Sequence, residues 1–365
     1  MRAAVLYGVG DIRVEDVPVP EPGPGEVLLS VGTVGICGTD AAEFGKGPNM
    51  FPIERRHPVT GYLGPMTIGH EYSGTVESVG VGVDPAWVGK LVASCGAVSC
   101  GQCWQCQRGR TNLCVRYSSV GLHRPGALAE YVTTPIANCT SVEDLGLGPD
   151  GAALGQPMSI AVHARNRGRV QSGERVVIFG AGGIGAFLVY AVKSVGATVT
   201  VVDASEVRLQ LARKLGADAT LSVAEASTEN LTDAAGGPPH TVLEASGRHS
   251  ALESAFAVLP SGGRLVAVGI QHAPVEIDIR RLTITELEII GTNAMVRAQD
   301  FDDALNLVAG RAVGWADVAP TVLTLEEIAT EALPALAEGR SSAVKTLADP
   351  RIADRRASVT TPQHG

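Results

Sequence analysis

Glu174-Arg175-Val176-Val177-Ile178-Phe179-Gly180-Ala181-Gly182-Gly183-Ile184-Gly185 is the stretch that decides how this chain folds. Its first half is an apolar run entered through charged residues, the pattern of a strand buried on both faces. Its second half fits G-x-G-x-x-G. In a chain with 44 glycines that match alone says little. The surroundings give it weight. A helix-like segment follows at 183–195, and a second strand, Thr198 to Val202, runs into Asp203, 23 residues after Gly180. In such a setting Gly180 makes the tight turn, Gly182 lets a pyrophosphate approach the backbone, and Gly185 lets the helix lie close to the sheet. Asp203 stands where a carboxylate accepts hydrogen bonds from adenosine ribose hydroxyls. It would repel a 2′-phosphate, so NAD is favoured over NADP; the competing reading is an ordinary strand-to-helix turn. Arg208 either braces the ribose or is a solvated helix residue. Gly183, Ile184, Ser246, Val268, Gly269 and Thr292 complete the expected dinucleotide-binding set.

Working outward, a helix at 205–215 stops at Gly216, and strands are expected at 241–245, 263–269 and 284–290. Alternating strands and helices imply a parallel sheet covered by helices over residues 157–291. Residues 1–156 read differently. Short apolar runs, such as Glu26 to Val31 and Tyr72 to Val79, are separated by Gly and Pro clusters, a β-rich pattern. Residues 45–66 form a long loop without periodicity. Helices are expected at 298–309 and 325–338, and the polar residues 351–365 read as a disordered tail.

The 365 residues suffice for two domains, and 45 % are hydrophobic, enough for a substantial core. The formal net charge of −9 disfavours nucleic acid and anionic membranes as partners. Val176 to Val192 is long and uncharged, but its glycines fall in the phosphate-binding pattern, so it is not read as a membrane span. The apolar run at the N-terminus is too short for a secretory signal. A cytoplasmic location is expected.

Seven cysteines argue against a complete disulfide framework. Cys100-x2-Cys103-x2-Cys106-x7-Cys114 can wrap four thiolates around one tetrahedral zinc, in a lobe spanning about 95–115. An iron–sulfur centre is the less fitting alternative. Four protein ligands leave no open position, so this metal would be structural. Arg108 and Arg110 would offset its negative charge. Cys95 and Cys139 lie outside the spacing and fit buried, small apolar positions.

Cys37-Gly38-Thr39-Asp40 and Gly69-His70-Glu71 are each unremarkable alone. Together they offer thiolate, imidazole and carboxylate, the ligand types of a zinc site with one open position. Such a zinc lowers the pKa of a bound alcohol, giving an alkoxide that expels hydride.

Gly35-Ile36-Cys37-Gly38-Thr39-Asp40, Gly69-His70-Glu71, the four-cysteine lobe, Gly126-Ala127-Leu128-Ala129-Glu130-Tyr131 and Gly180 to Gly185, in this order, make the chain resemble the zinc-containing medium-chain alcohol dehydrogenases over about residues 1–350. His57-Pro58-x-Thr60-Gly61 looks most like the butanediol and polyol branch. The resemblance implies a GroES-like catalytic domain, 1–156 and 292–350, split around a doubly wound Rossmann domain. It implies Cys37 and His70 as ligands of a catalytic zinc, with Glu71 a ligand or a near neighbour exchanging with water. Thr39 would pass on the alcohol proton, and Asp40 would orient the ligating His.

Two positions depart from the family. Gln156 stands where many polyol-type relatives have a Glu at the metal. An amide is a weaker, neutral donor. We therefore expect Cys37, His70 and Glu71 to hold the zinc, with Gln156 beside it. Ala42 replaces a His that finishes the proton relay in several alcohol dehydrogenases, leaving Glu43 or water as exits.

The leading function is reversible NAD-linked oxidation of a secondary alcohol, vicinal diol or polyol to a ketone, with two zincs per chain in a homodimer or homotetramer. The alternatives are a zinc-free enone or quinone reductase of the same superfamily and a non-enzymatic NAD- and zinc-binding protein. Either would carry one zinc.

Overall fold

The computed structural model describes residues 1–271, 273–341 and 343–362. The chain divides into two compact units: Met1–Gln156 together with the chain from Val296 onward, and Pro157–Met295.

In the unit Pro157–Met295 a six-stranded sheet has the spatial order Ala219–Ser222, Thr198–Asp203, Arg175–Phe179, Thr241–Glu244, Arg264–Ala267, Glu288–Gly291. Every neighbouring pair is parallel. This is the doubly wound α/β arrangement, reversing direction at Arg175–Phe179, where the glycine turn begins. Val176, Val177 and Ile178 have no exposed surface. The apolar run that mimics a membrane span is thus a sheet centre followed by the helix Gly183–Lys193. Among the described residues no helix is long and apolar enough to cross a membrane.

The strand expected at 284–290 starts later. Residues Ile279–Ile284 form a helix, with the Asp278 carboxylate accepting from Arg281 N at 2.9 Å. Glu286 turns the chain at φ 51°, and the strand begins at Glu288. The helix leaves Ile279 and Ile284 exposed, so no apolar periodicity announces it.

The other unit is built on an eight-stranded sheet. Its long strand Glu26–Ile36 pairs with Glu71–Val79, Tyr131–Pro135 and Thr346–Ala348, all antiparallel. Strands from both ends of the sequence therefore share one sheet and one core, which includes Leu29, Val34, Tyr72, Val132 and Ala348. The expected helix at 298–309 opens with a π-helical turn, Arg297–Phe301. The helical run after Thr324 widens into a π-turn at Ile328–Ala332, just before Pro334, whose ring nitrogen cannot donate to the preceding turn.

The segment expected as a disordered tail from 351 is, through residue 362, docked on this unit; 363–365 lie outside the described residues. Arg356–Ala357 pairs with Thr321–Leu323. Arg356 donates to both Asp150 oxygens at 2.7 and 2.9 Å, and Val359 N donates to Asp150 at 2.7 Å. Thr360 is buried, its hydroxyl accepting from Trp315 N at 2.7 Å. Polar bonds anchor this segment, so apolar periodicity has no reason to show it.

Candidate active site and metal centres

Cys37 ends the strand Glu26–Ile36 and caps the helix Gly38–Lys46. Its N–H donates to Asp40 Oδ2 at 2.9 Å, closing the first turn. Its sulfur lies 3.8 Å from the Thr39 hydroxyl. Gly69, at φ 98°, precedes His70 and fits only without a side chain: a Cβ there would lie 2.9 Å from Leu128 N. Glu71 opens the next strand and pairs across the sheet with Gly35. These turns bring Cys37, His70 and Glu71 together, with one ligand atom of each within 4.8 Å of the others.

His70 Nδ1 lies 3.4 Å from Asp40 Oδ1, short of hydrogen-bond geometry, and neither atom has another partner. Glu71 Oε1 is likewise buried and unpartnered. Burial opposes a charge on His70, but the Asp40 carboxylate and Cys37 sulfur outweigh it and push its pKa well above the usual imidazole range. Orphaned acceptors around a thiol and an imidazole are what a divalent cation would satisfy; the donor set fits zinc.

Lys345 was not read from the sequence as part of this site. It is buried and donates to Glu71 Oε2 at 2.5 Å and to Ile36 O at 3.1 Å. Glu43, considered as a proton exit, is not free for that work. Its carboxylate accepts from Asn49, Met50 and Phe51 N–H, tying down the start of the 45–66 loop. Gln156 sits half-buried in the first turn of the helix Gly155–Arg167. His57 and His123 stack with ring centroids 4.5 Å apart, each accepting a backbone N–H at Nδ1.

The sulfurs of Cys100, Cys103, Cys106 and Cys114 form the second group. Their separations of 3.5 Å (Cys103–Cys106), 3.9 Å (Cys103–Cys114) and 3.5 Å (Cys100–Cys114) match the ~3.8 Å edges of a tetrahedron with zinc–sulfur bonds of about 2.3 Å. Backbone N–H groups of Cys100, Cys103 and Arg116 point at these sulfurs within 3.4 Å. The backbone N–H groups of Cys106 and Val115 hold the Cys103 thiol down to about 6. Burial pushes the Cys106 thiol up to about 11, and Arg108 lies over the Trp104 ring at 5.4 Å. Cys95 and Cys139 are buried elsewhere, and burial pushes their thiols up to about 11 and about 12.

In the other unit, Gly180 turns at φ 93°, and a Cβ on Gly185 would lie 1.8 Å from Gly180 O. Gly182 caps the helix that contains Gly183, Ile184 and Gly185, with the Arg208 guanidinium 3.7 Å from where its Cβ would be. Asp203 accepts from Ala181 N at 2.7 Å and Ser205 N at 2.9 Å, so it also pins the glycine turn. Ser246 donates through N and Oγ to Glu244 Oε1, and the N–H groups of Val268 and Gly269 donate to Glu244 O. Thr292 Oγ1 is buried without a partner. The turn, the open helix N-terminus and the acid at the second strand fit a dinucleotide.

Residues 23–144 match the alcohol dehydrogenase GroES-like domain, and residues 183–310 match the zinc-binding dehydrogenase domain. The chain is 34 % identical over 319 residues to sorbitol dehydrogenase of Bombyx mori, covering 85 % of this chain and 88 % of the relative. The chain belongs to the zinc-containing alcohol dehydrogenase family. It is 30 % identical to the (R,R)-butanediol dehydrogenase of Neisseria gonorrhoeae over 359 residues, 96 % of this chain and 100 % of that one. The crystal structure of 2R,3R-butanediol dehydrogenase from Bacillus subtilis superposes with a TM-score of 0.87 at 28 % identity, covering 96 % of this chain and 99 % of that one. The chain is thus a zinc-dependent oxidoreductase acting on alcohols, with zinc and a nicotinamide dinucleotide as cofactors.

Proposed function

We propose that this enzyme reversibly oxidises a secondary alcohol, vicinal diol or polyol to a ketone with NAD, and that Cys37, His70 and Glu71 hold its catalytic zinc. The observation that carries the reading is the convergence of those three side chains beside unpartnered Asp40 Oδ1 and Glu71 Oε1. A zinc bound there would supply Lewis acidity at the substrate oxygen, with the nicotinamide dinucleotide accepting the hydride. Asp40 orients His70, leaving Nε2 for the metal. Thr39, beside Cys37, would pass on the substrate hydroxyl proton, accepting it while handing its own to water. Relatives named sorbitol and butanediol dehydrogenase support the polyol and diol classes.

Gly180, Gly182, Gly183, Ile184 and Gly185 would cradle the pyrophosphate, with Asp203 and Arg208 at the adenosine ribose and Ser246, Val268, Gly269 and Thr292 completing the dinucleotide site. The Asp203 carboxylate disfavours a 2′-phosphate. Cys100, Cys103, Cys106 and Cys114 hold the structural zinc. We place the enzyme in the cytoplasm as a homodimer or homotetramer.

An NAD-reduction screen over secondary alcohols, diols and polyols, run with zinc counted per chain, tests the whole reading. Two zincs and a diol- or polyol-dependent signal support it; one zinc and no alcohol oxidation refute it. Asp203→Ala should weaken NAD use and narrow its lead over NADP by about tenfold, the size of a 1.4 kcal/mol change. Equal efficiency of the wild type with both cofactors would remove the assignment.

A further inference from the structure

Lys345 touches the candidate catalytic site without being one of its metal-ligating side chains. It directly precedes the strand Thr346–Ala348, which pairs with Ile36, Gly35 and Val34. That register sets the Lys345 ammonium beside Ile36 O, at 3.1 Å, and Glu71 Oε2, at 2.5 Å. Gly35 faces the same oxygen. A Cβ at Gly35 would lie 2.3 Å from Glu71 Oε2, so the strand carries no side chain where the carboxylate must fit. Oε2 is therefore enclosed by Gly35 and Lys345. Oε1 of the same carboxylate is buried and has no partner. The two oxygens of Glu71 have been assigned different surroundings by the fold.

The charges point the same way. With zinc bound, Cys37 as thiolate, Asp40 and Glu71 would bring three negative charges to the cluster, and His70, as a ligand, would be neutral. Against Zn²⁺ alone they leave a net charge of −1; Lys345 brings the sum to zero. Here the cation takes one oxygen of a candidate metal ligand and faces away from solvent, with 4 % of its surface exposed.

We propose that Lys345 is a positioning residue that restrains Glu71 to a single-oxygen donor and limits how much negative charge the catalytic zinc receives. Two consequences follow. The metal keeps a coordination position open for the substrate oxygen, because Oε2 is held away. The metal also stays electrophilic, because the site is neutral. The absence of a carboxylate at Gln156 acts in the same direction. The inference rests on the assignment of Cys37, His70 and Glu71 as zinc ligands.

The test compares wild type, Lys345→Met and Lys345→Gln as full-length proteins. Catalytic zinc release into a chelator is followed, together with the visible spectrum after cobalt replacement. Removing the partner of a metal ligand ordinarily costs about 10–100-fold in metal affinity or activity, so slower release would set Lys345 apart from an ordinary supporting residue. Lys345→Met should free Oε2 to bind the metal. Release should then slow by about tenfold, the cobalt bands should weaken as coordination number rises, and kcat should fall while KM for the dinucleotide is unchanged. Lys345→Gln keeps a donor without the charge and should shift the same way, by less; if Lys345→Met does not fold, this variant decides. In a Glu71→Gln background the Lys345 substitution should leave release unchanged, whereas a purely structural lysine would act in both backgrounds. Unchanged or faster release, with an unchanged cobalt spectrum, overturns the inference. A wild type that binds only one zinc overturns the ligand assignment itself.

Discussion

Two groups of side chains that could each hold a metal ion lie in one unit of this enzyme, and they are built in opposite ways. The four cysteines come from fifteen consecutive residues, 100–114, arranged by local turns. Backbone N–H groups from the same loop meet their sulfurs. Cys37, His70 and Glu71 come from separate elements, and the buried Lys345 reaches them from the far end of the chain. Polar atoms there are left without partners. The first group is complete in itself, as suits a metal that ties a loop together. The second is held by the sheet around it and left incomplete toward the metal, as suits a site that must exchange ligands.

If that contrast is right, damage to the two groups should have different consequences. The largest effect should come from Cys37→Ala. Activity should fall by at least about 10³-fold, because Lewis-acid activation of the alcohol is lost. Zinc content should drop from two per chain to one, while the melting temperature stays near that of wild type. A large loss of stability would mean that this site, too, is structural.

Cys106→Ser should do the reverse. Structural zinc binding contributes directly to folding free energy. A loss of about 3 kcal/mol would lower the melting temperature by roughly 6–12 °C in a domain of this size, or the protein would aggregate. The soluble fraction should keep its kcat. Unchanged stability with lost activity would reverse the roles of the two groups.

Asp40→Asn sharpens the picture of the open group. The amide oxygen can still accept from Cys37 N, but the charge facing His70 is gone. Activity or zinc affinity should fall by about 10–100-fold. Equal kinetics and equal zinc retention would show that the 3.4 Å approach of Asp40 to His70 does not orient the ligand.

The smallest effect is expected from Gln156→Glu. A carboxylate there adds negative charge near the metal, so catalytic zinc should survive dialysis against a chelator a few-fold longer, with somewhat lower activity. Identical zinc loss from wild type and mutant would place Gln156 outside the metal's influence.

Much of this contrast was legible in the sequence, but unevenly. Residues 174–185 announced strand, turn and helix because a doubly buried strand must be apolar throughout and a tight turn against a sheet needs glycine. The four cysteines were legible because their spacing is itself the geometry. The start of the last parallel strand was misplaced, since the helix before it exposes Ile279 and Ile284. The 351–362 segment gave no apolar signal because side-chain hydrogen bonds to Asp150 and Trp315 N hold it. Glu43 looked available because its three backbone donors appear only once the loop has folded back.

The sequence by itself determined the residue types and local turns: the glycine loop, the cysteine lobe, and the thiol, imidazole and carboxylate of the candidate active site. Local spacing fixes the glycine loop and the cysteine lobe, since neighbours a few residues apart cannot avoid one another, whereas Cys37 and His70, 33 residues apart, are legible only as residue types. The tertiary structure alone decided that Lys345 faces Glu71. Its place is set by the neighbouring Thr346, which pairs with Ile36 across strands more than 300 residues apart in the chain. No local pattern carries that information, because a buried lysine is tolerated only where folding delivers its counter-charge.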